Sequence, residues 1–196
     1  KAPNLVLPGT DLAAALPATL SGVVANSGQS CIAPTRLLVH ESQAAAADVI
    51  VQGFMEAIPV GQPEAQGAHI GPVVNKAQYD KIQELIQSAI DEGATLLAGG
   101  TGLPDSVNRG YFVRPTALSG VTPAMRIWRE ETFGPVATIS TYADLDDGIA
   151  LANDTEYGLS ATVTGDAEAA RAVVGQLRAG LVTANMAPMA CAISWR

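Results

Sequence analysis

The thiol of Cys31 is the strongest candidate nucleophile in this sequence, and it ends the run Asn-Ser-Gly-Gln-Ser-Cys at residues 26–31. A helical pattern stops at Asn26 and a buried strand is predicted from Thr35, so the thiol lies in a turn. Gly28 removes side-chain bulk beside it, which lets a ligand approach the backbone. A thiol on such a turn can attack a group bound at the end of a sheet. A free cysteine is as often a small buried hydrophobe, so spacing alone leaves both interpretations open.

A second candidate site is the run Glu-Glu-Thr-Phe-Gly-Pro-Val at residues 130–136. An ionised carboxylate accepts hydrogen bonds from two hydroxyls at once, and ribose presents such a pair. Taken by itself, the run favours a surface pair of glutamates before a turn into a strand.

The two histidines, His40 and His69, are not spaced with cysteines as zinc ligands are, so no metal site is predicted. A hydrolase pair of Cys31 with either histidine stays open, because it depends on a contact that spacing does not show.

Short β-rich runs alternate with helical patterns along the chain, which favours an α/β fold with a twisted, mostly parallel sheet and helices on both faces. Asn75 is predicted to cap the clearest helix, which ends at Gly93. Ser42 is predicted to cap an earlier helix, and residues 111–118 to form one strand. No repeat or linker divides the 196 residues, so we expect residues 1–196 to form one domain.

Composition excludes several classes of function. The hydrophobic fraction of 48% is typical of a globular protein, and the net charge of −8 disfavours nucleic acid and anionic membrane surfaces as partners. Two distant cysteines do not form a disulfide framework and fit a reducing compartment. We therefore expect a cytoplasmic protein with no nucleic-acid or membrane partner.

Both motifs together resemble the aldehyde dehydrogenase superfamily, in which a cysteine follows Gly-Gln-x and a later segment reads Glu-x-Phe-Gly-Pro-Val. Softer similarities continue to residue 185. The resemblance implies oxidation of a small-molecule aldehyde to a carboxylic acid with NAD or NADP, through a cysteine thiohemiacetal and thioester. It also implies a homo-oligomer, a dimer or a tetramer.

Residue by residue, the resemblance implies that Cys31 is the nucleophile and that its own N–H is one oxyanion donor. Glu131 would hold the nicotinamide ribose, and Phe133 would pack beside the nicotinamide ring and the thiol. The active-site loop would comprise Asn26, Gly28, Gln29, Cys31 and Asn185. Within it, Asn26 would bond the turn backbone, whereas Asn185 would support the loop from a later strand.

The opening Lys-Ala-Pro-Asn matches the family just after its general-base glutamate. The resemblance therefore implies that the N-terminal cofactor-binding domain, the base and a second oxyanion donor lie outside this chain. We expect the isolated chain to show no NAD(P)-dependent oxidation. The alternatives are a folded but catalytically inert domain and a cofactor-free thiol hydrolase or acyltransferase. After Asn185 the sequence departs from the family, and Cys191 receives no role.

Overall fold

A computed structural model describes residues 1–185, which contain seven strands and six α-helices. Two short 3-10 turns also occur, at Ala25–Gly28 and Glu41–Gln43. In chain order the elements are β1 (Pro3–Val6), α1 (Leu12–Val24), β2 (Arg36–His40), α2 (Ala44–Ala57), α3 (Lys76–Asp91), β3 (Thr95–Ala98), β4 (Thr116–Ser119), α4 (Arg126–Arg129), β5 (Val136–Tyr142), α5 (Leu145–Asn153), β6 (Ser160–Thr164), α6 (Ala167–Val174) and β7 (Leu181–Ala184).

All seven strands form one sheet in the order β3-β4-β5-β2-β1-β6-β7. The β3–β4 pair is antiparallel, and every other neighbouring pair is parallel. The predicted mostly parallel α/β sheet is therefore confirmed. Because β4, β5, β2, β1, β6 and β7 run in one direction, the segments that precede them meet at a single edge, here called the amino edge.

Helices cover both faces of the sheet. Successive side chains of a strand point to opposite faces of the sheet, and two residues of β2 illustrate this. Leu37 packs against α1 and α2, whereas Leu38 packs on the face covered by α3, α5 and α6. Both leucines are fully buried. Removing such a side chain from water contributes roughly 1.5–3 kcal/mol, so each strand is held between two apolar layers.

Helix starts follow the predicted caps where a short polar side chain meets the first turn. The Asn75 side chain accepts a hydrogen bond from the Gln78 backbone N–H at 2.9 Å and begins α3. Gly93, just past the end of α3, has φ +103°, a left-handed conformation that glycine adopts without strain.

Two sequence predictions were wrong. Ser42 does not cap α2, because the His40 ring accepts the Ser42 N–H and a 3-10 turn separates β2 from the helix. The strand predicted over residues 111–118 begins only at Thr116. Pro115 explains the shift, since proline lacks the N–H that a ladder needs.

Within residues 1–185, no helix is long and apolar enough to cross a membrane. The same part of the chain contains no group of three or more His, Cys, Asp or Glu side chains that could hold a metal ion.

Candidate active site

The amino edge brings both candidate motifs together. Cys31 precedes β2, the segment 131–134 (the Glu131 loop) precedes β5, and Tyr157 precedes β6. Because these three strands are parallel, residues distant in sequence meet at one end of the sheet. Cys31 and Glu131 line the same cavity, which has a volume of about 110 Å³.

The turn that carries Cys31 is strained. Asn26, Ser27 and Gly28 have φ values of +52°, +55° and +74°, three consecutive left-handed residues of which only the last is a glycine. Each non-glycine residue in this region costs on the order of 1–3 kcal/mol and persists only where surrounding contacts hold it. Strain of this kind is common at functional sites.

Hydrogen bonds on both sides hold the strained turn. Within it, the Asn26 side chain donates to the Gln29 carbonyl at 3.1 Å, which matches the local role expected for Asn26. Towards the following loop, the Ser27 hydroxyl donates to the Gly71 carbonyl and the Gln29 side-chain oxygen accepts from the Val74 N–H, both at 2.8 Å. The Cys31 side chain is left exposed.

Gly28 and Gly134 form a direct backbone contact between the two motifs. A Cβ built on Gly28 would lie 2.0 Å from the Gly134 carbonyl carbon and 2.4 Å from the Pro135 nitrogen. No side chain fits at Gly28, so this contact fixes the separation of the turn and the Glu131 loop.

The Glu131 carboxylate is bound by its neighbours and still reaches the cavity. Its Oε1 lies 2.7 Å from the backbone nitrogen of Lys1, and about a quarter (27%) of the side chain remains exposed. The Glu131 N–H donates to the Tyr157 hydroxyl at 3.2 Å. Tyr157 receives no role from the sequence, and no signal in its spacing indicates a bond to Glu131.

Burial changes the electrostatics beneath the cavity. The Lys1 ammonium donates to the Thr132 hydroxyl at 3.2 Å. Desolvation, with a smaller effect from the Arg36 charge, lowers the pKa of this ammonium to about 7. Burial also lowers the pKa of Arg36 to about 10, so its guanidinium stays charged while it lies 4.6 Å above the Trp128 ring.

One polar atom at the cavity wall has no partner. The Ser160 hydroxyl is buried, lines the cavity and forms no hydrogen bond within residues 1–185. Phe133 is not among the residues that line the cavity, although it belongs to the Glu131 loop.

Neither histidine is placed to activate Cys31. Both ring nitrogens of His40 pair with Ser42 and the Ala143 carbonyl, at the opposite edge of the sheet. The ring nitrogens of His69 pair with the carbonyls of Gly67 and Gln62. The structure therefore provides no Cys–His pair among the described residues.

Asn185 is not brought to the Cys31 turn. It follows the carboxyl end of β7, at the edge opposite Cys31, and its side chain exchanges two hydrogen bonds with the Gly165 backbone, each 2.9 Å long. Asn185 therefore does not support the catalytic loop as predicted. It links the ends of β6 and β7 instead. Cys191 lies outside the described residues.

Comparison with known proteins agrees with this arrangement. The model of the aldehyde dehydrogenase family matches residues 1–193. A chloroplastic betaine aldehyde dehydrogenase of Atriplex hortensis is 41% identical over 186 residues, which is 94% of this chain and 37% of that protein. The chain thus spans about two fifths of the length of such relatives.

Solved structures show the same fold. An aldehyde dehydrogenase C of Pseudomonas syringae, a cysteine-to-alanine mutant in complex with NAD+ and octanal, is 40% identical with a TM-score of 0.92, covering 100% of this chain and 39% of that one. A Mycobacterium tuberculosis aldehyde dehydrogenase in complex with NAD+ is 37% identical with a TM-score of 0.91, covering 96% and 39%. The family model, the relatives and the fold agree: the chain belongs to the aldehyde dehydrogenase family.

Proposed function

We propose that this protein oxidises an aldehyde to a carboxylic acid with NAD+ or NADP+, and that Cys31 is the nucleophile. The observation that carries the proposal is the shared cavity of Cys31 and Glu131 at the amino edge. Family membership and relatives solved with NAD+ and with octanal support it.

The Cys31 turn is suited to covalent chemistry. The Cys31 thiolate adds to the aldehyde carbon, and a carbon–sulfur bond forms while the carbonyl oxygen becomes an oxyanion. The Cys31 N–H has no acceptor within residues 1–185 and is free to donate to that oxygen. Collapse of the oxyanion would break the carbon–hydrogen bond, the hydride would pass to the nicotinamide of a bound NAD+ or NADP+, and a thioester would remain on Cys31. Water would then add to the thioester, the carbon–sulfur bond would break, and the carboxylic acid would leave while the sulfur takes up the remaining proton of the water as the thiol of Cys31.

Glu131 fits one end of a dinucleotide. A carboxylate has about four acceptor positions, so ribose hydroxyls can bind Glu131 beside the Lys1 backbone nitrogen. The cavity is smaller than the ~300–1,000 Å³ of a typical ligand pocket, which suits one ring-sized group. When bound, the nicotinamide supplies the hydride acceptor. Glu131 and Phe133 would orient it towards the carbon held on Cys31.

The rival activities are less well supported. A cofactor-free thiol hydrolase needs a base for Cys31, and both histidines are bound elsewhere. The other alternative is a folded but inert domain, which would not bind NAD+. Equilibrium titration of the protein at its natural length with NAD+ tests this alternative.

We further infer a cytoplasmic location and a homo-oligomer. Two cysteines in 196 residues fit a reducing compartment. Leu181 of the edge strand β7 is about half exposed (52%), and exposed apolar strand edges favour association between copies.

Replacing Glu131 with glutamine should raise the dissociation constant of NAD+ roughly tenfold or more in the protein at its natural length. The variant loses a charge-assisted hydrogen bond to a hydroxyl, which contributes about 1.5–3 kcal/mol. Fluorescence titration of the purified variant measures the constant.

The neighbouring Glu130 provides a matched control. Its carboxylate is exposed and pairs with Arg126 at 2.6 Å, away from the cavity, so Glu130→Gln should leave the constant within twofold. Equal dissociation constants of NAD+ for wild type and Glu131→Gln would contradict the proposal that Glu131 binds the ribose.

A further inference from the structure

Phe133 adopts a conformation that its own residue type disfavours. Its φ is +53°, in the left-handed region, where a bulky aromatic residue is an outlier. Such a conformation persists only when surrounding contacts determine it. The contacts that hold Phe133 therefore also set the position of the Glu131 loop.

The side-chain amide of Gln78 makes those contacts. Its nitrogen donates to the Thr132 carbonyl at 2.8 Å and to the Phe133 carbonyl at 3.0 Å. Successive carbonyls point in opposite directions in an extended chain and in similar directions in a helical one. One amide nitrogen that binds both carbonyls thus favours a helical conformation at Phe133, here the left-handed one, over an extended conformation.

The local sequence offers Gln78 another role, which the structure does not use. Asn75 and Gln78 have the spacing of a capping box, in which the second side chain returns to the N–H of the cap residue. The Gln78 backbone N–H does bond the Asn75 side chain. The Gln78 side chain instead reaches a loop more than 50 residues further along the chain.

We propose that Gln78 is a positioning residue that holds the Glu131 loop in the conformation that receives the cofactor. The inference rests on the proposed function, because it assigns Gln78 a role at the same site. Gln78 acts through the backbone of Thr132 and Phe133. It is coupled to Glu131 because the two residues that it binds follow Glu131 directly in the chain.

The test replaces Gln78 with methionine, which keeps the length of the side chain and removes both donors. We expect the dissociation constant of NAD+ to rise roughly 5- to 30-fold in the protein at its natural length. Gln87→Met is the matched control, since Gln87 is exposed on the same helix and bonds Asp91. That variant should bind NAD+ within twofold of wild type.

Two readouts without cofactor separate positioning from other roles. Hydrogen exchange at the amides of residues 132–134 should become at least about threefold faster in Gln78→Met, whereas direct contact of Gln78 with the cofactor would leave it unchanged. Acylation of Cys31 by an activated ester should stay within about twofold, whereas a general folding defect would reduce it. Unchanged exchange, or acylation that falls as much as NAD+ affinity, would overturn the inference. Wild type that does not bind NAD+ would instead contradict the proposed function.

Discussion

Replacing Cys31 with alanine should lower aldehyde oxidation by roughly three orders of magnitude or more in the protein at its natural length. Without the sulfur, no carbon–sulfur bond forms and no thioester carries the substrate between oxidation and hydrolysis. Binding of NAD+ should change little, because Glu131 and its partners remain. NADH absorbance with an aldehyde that the wild type oxidises measures the activity, and titration measures the binding.

Cys191→Ala is the control for this experiment, because it removes the other thiol of the chain. It should keep the activity of wild type within a few fold. Activity that survives in Cys31→Ala and disappears in Cys191→Ala would mean that the nucleophile was assigned to the wrong cysteine.

Gly28→Ala should destabilise the fold and remove most of the activity. Alanine at φ +74° is strained by about 1–2 kcal/mol. Its Cβ would also overlap the Gly134 backbone, and such overpacking costs about 1–3 kcal/mol. We expect a loss of about 2–5 kcal/mol in the free energy of unfolding, measured by urea denaturation. The Cys31 turn and the Glu131 loop would also separate.

Gly53→Ala is the control that tests whether the destabilisation expected for Gly28→Ala is specific to position 28. Gly53 lies exposed within α2, and an added Cβ would meet nothing within 4 Å. Because alanine favours helix, this variant should be neutral or more stable by up to about 1 kcal/mol. A Gly28→Ala variant as stable as wild type would contradict the close contact of Gly28 with Gly134.

The sequence predicts the sheet well, because its signals are local. The alternation of β-rich runs and helical patterns predicted a mostly parallel sheet, and a short polar residue, Asn75, predicted the start of α3. The prediction fails where a second side chain competes for the same backbone group. Ser42 looks like a cap, yet the His40 ring takes its N–H. That interaction depends on the side-chain geometry at the end of β2, which spacing does not encode.

The sequence predicted which residue types form the site, but it predicted fewer of the contacts between them. Cys31 and Glu131 came from motif resemblance, and the parallel topology explains why they meet. Open α/β sheets usually bind ligands at the carboxyl ends of the strands, whereas these two residues lie at the amino edge. The order of the strands decides which residues share an edge, so Asn185, which follows β7, lies at the opposite one.

The contacts of the Glu131 loop were the least predictable part. Tyr157 and Gln78 bind backbone groups of this loop, and such bonds require no particular residue type in the loop. No pattern in the sequence therefore pairs them with residues 131–133. Only the tertiary fold, which places α3 and the segment before β6 beside this loop, brings them into range.

The most direct test of the account is to find where the acyl group resides during turnover. The protein at its natural length is mixed with NAD+ and an aldehyde that it oxidises, quenched in acid within one turnover, digested and mapped by mass spectrometry. We predict the corresponding acyl thioester on the peptide that contains Cys31, present only when both NAD+ and aldehyde are added. An adduct on another residue, or NADH formation with an unmodified Cys31 at every quench time, would contradict the central claim.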